Sequence, residues 1–162
     1  QKHMKYQSGG KCIQYIFYIH YIRDTKFIKG VLLTETIYVI HNENFTKVTA
    51  KEELDIVVQE LIEDEFKHNE RHYNSEEFLE YHAAFYEKLA PIYIKSRVTA
   101  LFEEDVQEVI NQFNEHYDYV ADYEIHLTTY EVPESRVSYY ESLIGELGYQ
   151  RFEELRNIEM LN

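Results

Sequence analysis

The chain is predicted to be an α+β domain with a mostly antiparallel sheet, on three observations. Apolar residues recur with period two over much of the first fifty positions and again over 119–132, as in strands. Between and after these stretches they recur at i, i+3 and i+4, as in amphipathic helices. With 44% apolar residues, five glycines and two prolines in 162 positions, the composition supports a packed core.

The elements follow in order. Gln1-Lys2-His3 ahead of Met4 reads as a cloning remnant, and residues 1–11, containing Ser8-Gly9-Gly10, read as that remnant plus a flexible lead-in. A single α+β domain is expected over 12–162. Cys12 to Ile22 alternates, with Ile13, Tyr15, Phe17, Ile19 and Tyr21 on one face, and predicts a strand. Arg23-Asp24-Thr25-Lys26 predicts a turn, Phe27 begins a candidate second strand, and Gly30 punctuates it. Val31 to His41 is a further strand, closed by the turn signal Asn42-Glu43-Asn44. The N-terminal third is therefore expected to be a hairpin or meander.

Thr49, with Glu52 three residues on, fits a capping box at the start of a helix. Its apolar stripe is Leu54, Val57, Val58, Leu61, Ile62 and Phe66. Lys67 to Asn74 reads as a polar connection. Asn74 or Ser75 then caps a second helix to about Leu89, with Phe78, Leu79, His82, Phe85, Tyr86 and Leu89 inward and Pro91 closing it. Ile92 to Val98 fits either a strand or a helix entry. Glu103-Glu104-Asp105 places carboxylates at the favourable end of a third helix, whose apolar face is Val106, Val109, Ile110, Phe113 and Tyr117. Tyr119 to Val132 is a later strand, with Tyr123, Ile125, Leu127 and Thr129 on one side. Pro133-Glu134-Ser135 starts a C-terminal helix that Gly148 ends, and Tyr149 to Leu161 is a last strand or short helix.

Charge restricts function more than any motif does. Sixteen Lys and Arg stand against thirty Asp and Glu, a net of −14. Residues 1–50 carry a net of +4, and residues 51–162 carry −18. Phosphate would be repelled over most of the chain, so little direct nucleic-acid binding is expected. A basic protein would be attracted. The single cysteine, Cys12, forms no internal disulfide. The apolar run Ile13 to Ile22 is too short for a membrane span and lacks a small-residue cleavage site. A cytosolic protein with no membrane role is expected. Sixteen tyrosines without tryptophan, and fifteen isoleucines against eleven Ala and Gly together, match an AT-rich coding bias.

No motif names a reaction. His68-x3-His72, beside Glu65 and Glu70, has the i, i+4 spacing of zinc ligands. Asn69 stands where the zincin pattern needs Glu, and a solvated polar loop is the preferred reading. Glu65-x2-His68 matches half of a di-iron site, and no second pair exists on another helix. Cys12 with His20 or His41 lacks a nearby oxyanion motif, and no Gly-rich phosphate loop is present. No catalytic residue, metal or cofactor is expected. The segment from Tyr139-Tyr140-Glu141 to Leu147-Gly148-Tyr149 resembles the end of GNAT acetyltransferases over about fifteen residues, but the family's pyrophosphate loop is missing.

What remains is surface. Acidic clusters (Glu60/Glu63/Asp64/Glu65, Glu76/Glu77/Glu80, Glu103/Glu104/Asp105/Glu108 and Glu115/Asp118/Asp122) lie near Tyr73, Tyr81, Tyr117 and Tyr119. Carboxylates beside aromatic anchors suit recognition of a basic protein. The expected contact residues are Glu103, Glu104, Asp105, Glu108, Glu63, Asp64, Tyr117 and Tyr119. In its whole-chain profile (about 160 residues, acidic overall, rich in Tyr, Ile and Asn, α+β, without catalytic residues) the sequence resembles phage-encoded anti-CRISPR proteins. The resemblance implies an inhibitor of a type II RNA-guided DNA nuclease bound to its guide RNA, acting in the cytoplasm of the bacterial host. Its targets would be the basic DNA channel or the HNH domain. The alternatives are an immunity protein against a basic nuclease toxin, a small phage structural or regulatory protein, and an enzyme.

Overall fold

The computed structural model describes the backbone of residues 3–8, 11–17, 29–72 and 76–161, with side chains placed for 33–68, 76 and 79–158. The described elements run β1 (His3–Ser8), β2 (Lys11–Phe17), β3 (Lys29–His41), β4 (Thr46–Ala50), α1 (Leu54–His72), α2 (Glu76–Val98), α3 (Glu103–His116), β5 (His126–Pro133), α4 (Val137–Leu147) and α5 (Tyr149–Leu161). This is the expected α+β architecture, with an antiparallel N-terminal hairpin, central helices, a later strand and C-terminal helices. β1 lies within the stretch that reads from sequence as a lead-in.

β3 organises the sheet. Its first half pairs with β2, and its second half pairs with β4 and with β5, all antiparallel. Alternation along β3 sends Tyr38 and Ile40 into one core and Ile37 and Val39 into another. The first core is closed by Leu54, Val58 and Ile62 of α1, Phe85 and Leu89 of α2, and Val106, Val109 and Ile110 of α3. The second is closed by Ile144 of α4 and Phe152 of α5, with Tyr130 and Val132 of β5. Both faces of this part of the sheet are therefore covered, which explains why Ile37 to Ile40 read as an unbroken apolar run.

Several local expectations give way to tertiary packing. β4 has no counterpart in the sequence reading. The Asn42 side chain accepts the N–H groups of Asn44 (2.8 Å) and Phe45 (3.0 Å), an Asx turn that folds the chain back on β3. Thr49 is consequently a strand residue opposite Tyr38, not a helix cap, and its hydroxyl donates to the Ala50 carbonyl. A 3-10 turn at Lys51–Glu53 leads into α1 instead.

Lys67 to His72 continues α1 rather than forming a connection. The expected cap residues Asn74 and Ser75 lie outside the described residues, as do 18–28, which hold the expected turn at Arg23–Lys26 and the strand start at Phe27. Pro91 sits inside α2 and does not end it, and Ile92 to Val98 is helix. The buried side of α2 carries His82, Phe85, Leu89 and Ser96, so packing holds the helix across the missing amide, while Pro91 and Glu87 face solvent. Leu79, expected inward, is 60% exposed, because it falls off that buried row. The Phe78 side chain is outside those described.

β5 begins at His126, not near Tyr119. Residues 121–123 form a 3-10 turn, and Tyr123 is exposed. Gly148 ends α4 at φ 81°, as expected, and Tyr149 onward is helix.

Candidate functional site

The residues singled out by charge fall mainly at the two ends of α3, about 20 Å apart at 1.5 Å per residue. At the N-terminal end the three acids divide in role. Asp105 accepts Lys95 Nζ at 2.7 and 2.8 Å, and accepts the backbone N–H of Phe102 at 2.9 Å. The Lys95 hydrogen bond, aided by that N–H, holds its carboxyl below the usual range against the opposing effect of burial. Asp105 therefore caps and braces the helix. Glu103 and Glu104 are exposed.

Those two glutamates do not act alone. Tyr38 has its phenol pushed up first by burial and then by Glu103, Glu104 and Glu52. Glu141 of α4 is raised first by burial and then by Glu53 and Glu52. Glu52 of the 3-10 turn thus acts on Tyr38 together with Glu103 and Glu104, and on Glu141 together with Glu53. Phe102, 56% exposed, directly precedes Glu103, with the Lys51 and Lys95 ammonium groups 6.0 and 5.8 Å from its ring centre. An exposed aromatic ring followed in the chain by two exposed carboxylates can serve as an interface anchor with a charged rim.

The C-terminal end of α3 is built on a histidine pair. His116 Nε2 and His82 Nδ1 are 2.7 Å apart, a distance that requires one nitrogen to donate and the other to accept. His116 lies flat on Phe85, centroids 4.1 Å apart and planes at 3°. Burial lowers both imidazole pKa values, His82 lowers that of His116 further, and Glu65 opposes both shifts. Both rings are therefore biased toward the neutral form. Tyr117 donates to the Glu65 carboxylate and stacks against Tyr123 at 5.0 Å. A cavity of about 260 Å³ opens beside the pair, lined among others by Tyr81, Phe85, His116, Glu115 and Asp118. Tyr119 is 69% exposed, and its phenol is raised mainly by a hydrogen bond with Tyr81.

The remaining expected contact residues are not gathered with either end. Glu63 accepts the Tyr93 hydroxyl at 2.7 Å and so faces α2. Asp64 lies 3.6 Å from Lys47 of β4. Glu108, in mid-helix, accepts from Gln112 at 2.8 Å. His68 is exposed on α1, and the His72 side chain is not among those described. Among the described residues no group of three His, Cys, Asp or Glu is placed to hold a metal ion, and no helix is long and apolar enough to cross a membrane.

A larger groove of about 510 Å³ lies between the β3–β4 turn and the start of α5, bordered by Phe45, Tyr149, Arg151 and Glu154. Its cation is engaged locally, since Arg151 pairs with Glu154 at 3.1 Å. Nearby, the His41 ring stacks on Tyr149 at 3.5 Å and bonds Thr128 through Nε2 at 2.9 Å.

Sequence reasoning missed Phe102, although it directly precedes Glu103, and missed Glu52, which the fold brings to the same buried phenol as Glu103 and Glu104. It also missed His116 as the partner of His82. The available signal was periodicity: His116 follows Val109 and Phe113 on the buried face of α3. No protein-family model, curated protein or solved structure shows significant similarity to the chain.

Proposed function

We propose that the chain is a non-enzymatic inhibitor that binds a basic surface of a type II RNA-guided nuclease, its DNA channel or its HNH domain, and blocks DNA binding or cleavage. The observation that carries this reading is the exposed pair Glu103 and Glu104 at the start of α3, with Glu52 acting on the same buried Tyr38 and exposed Phe102 directly before them in the chain. Carboxylates held on a rigid helix end and a neighbouring turn can occupy the positions that DNA phosphates take on such a partner. Phe102 supplies the desolvated contact that charge alone lacks. The site of action under this reading is the cytoplasm of the bacterial host.

The test is a pull-down against a guide-loaded type II nuclease, followed by a DNA-cleavage assay. The pair Glu103→Lys and Glu104→Lys, both exposed, should leave the fold intact. It should weaken binding at least ~10-fold at low ionic strength, and by less at high salt, where the Debye length falls to a few ångströms. Failure of the wild-type chain to bind or inhibit any type II nuclease tested would sink the reading. Inhibition of a basic nuclease toxin would replace it with the immunity-protein reading.

A further inference from the structure

The geometry points to the cavity at the C-terminal end of α3 as a receptor for a single arginine side chain of the partner. The inference rests on the partner being basic, as proposed above, and names what it would insert.

Size decides the first step. At about 260 Å³ the cavity falls below the ~300–1,000 Å³ range of small-molecule sites. One long side chain fits it better than a cofactor or metabolite does. The lining decides the second. Tyr81 and the His116 ring, with centroids 5.2 Å apart and planes at 46°, offer aromatic surface. Glu115 and Asp118 add carboxylates to the lining. A cation is the ligand that aromatic faces and carboxylates both attract.

One opposing charge stands at the cavity. Lys88 also lines it, but it lies 3.6 Å from Glu115 in an exposed pair, with side chains 52% and 71% exposed. Such pairs contribute little and open readily. A guanidinium can take over Glu115 as Lys88 swings outward. From behind, burial disfavours a positive charge on either ring of the histidine pair. Glu65, engaged by Tyr117, adds negative potential beneath them. The balance at the opening is therefore negative.

Arginine rather than lysine follows from shape. A guanidinium is planar, stacks on rings and offers a fork of donors to a carboxylate, whereas an ammonium is a strongly hydrated point charge. Tyr119, hydrogen-bonded with Tyr81, extends the aromatic wall away from the cavity. Tyr117 and Tyr119, both predicted from sequence as contacts, thus serve the cavity indirectly, by holding Glu65 and Tyr81.

The test uses the whole chain and no nuclease, so it fails or succeeds independently of the partner's identity. A tetra-arginine peptide and a tetra-lysine peptide, both acetylated and amidated and so equal in charge, are titrated into the protein while the His116 and His82 imidazole resonances are followed by NMR. The arginine peptide should bind several-fold more tightly and shift the His116 signal. Tyr81→Ala and Asp118→Asn, both at exposed positions, should each weaken it about two- to five-fold. Glu146→Lys, at an exposed position on α4 away from the cavity, should leave the His116 response in place. Equal binding of the two peptides without a His116 shift, or unchanged binding by Asp118→Asn, overturns the inference.

Discussion

Acidification should destabilise the fold through His41. It is 6% exposed, stacked on Tyr149 and bonded to Thr128. Burial, reinforced by nearby His126 and only partly offset by Glu153, pushes its pKa down from 6.5 to about 4. The unfolded chain therefore binds a proton on this residue at a higher pH than the folded chain does. Stability from a neutral His41 is fully present above pH 6.5 and is lost as pH falls from 6.5 toward 4. At about 1.36 kcal/mol per pH unit, a shift of this size amounts to about 3 kcal/mol, most of it gone by pH ~4.5.

Thirty carboxylates also respond to acid, and relief of their repulsion has the opposite sign, so the wild-type curve alone does not isolate His41. Urea melts of wild type and His41→Gln at about pH 7.5, 6.5, 5.5 and 4.5 do, because groups that do not interact with His41 cancel in the difference. The variant should be less stable at about pH 7.5, having lost the ring stack, and the gap should narrow by about 2–3 kcal/mol on reaching pH ~4.5. NMR titration of the wild-type ring should give a midpoint near 4. A constant gap across the series, or a midpoint near 6.5, would refute the reasoning.

Two further outcomes test the backbone. Gly148 holds φ 81° and ψ 158°, a region that side chains strongly disfavour, although a Cβ there would meet only Thr46 Oγ1 at 3.7 Å. Gly148→Ala should therefore cost about 1–3 kcal/mol through backbone strain and not through a clash, measured as a fall in urea midpoint without a change in m-value. Pro91→Ala should do the reverse: restoring an amide inside α2 at an exposed site should stabilise by about 1–3 kcal/mol, and a lower melting temperature would contradict the account of that helix.

The parts of the fold that are legible in the sequence are those decided by near neighbours. The stripe from Leu54 to Phe66, the face from Val106 to Phe113 and the stop at Gly148 are local patterns, and each stands in the structure. What is not legible depends on distant partners. Thr49 reads as a cap because nothing near it shows that Val48 and Thr49 pair with Val39 and Tyr38. Pro91 reads as a stop because its cost is local, while the compensating burial of Phe85, Leu89 and Ser96 is tertiary. The candidate sites divide the same way. Glu103 and Glu104 stand out by their run of charge. Glu52 joins them at Tyr38 only through the turn after β4. His82 reads as inward, yet the ring it meets lies on another helix.

The position of β3 has a consequence for how the chain reaches its native state. Residues 37–41 find one partner immediately, in residues 46–50, and wait for the other until residues 126–133 have emerged and returned. Everything from α1 to α3 intervenes, so the second pairing closes a long loop and carries the entropic cost that makes non-local strand pairing slow. During synthesis the helices can settle on Tyr38 and Ile40 first, while Ile37 and Val39 stay uncovered until β5, α4 and α5 arrive. A ribosome-bound chain truncated before residue 126 would thus display a half-covered apolar strand, the kind of surface that chaperones hold and that aggregation exploits.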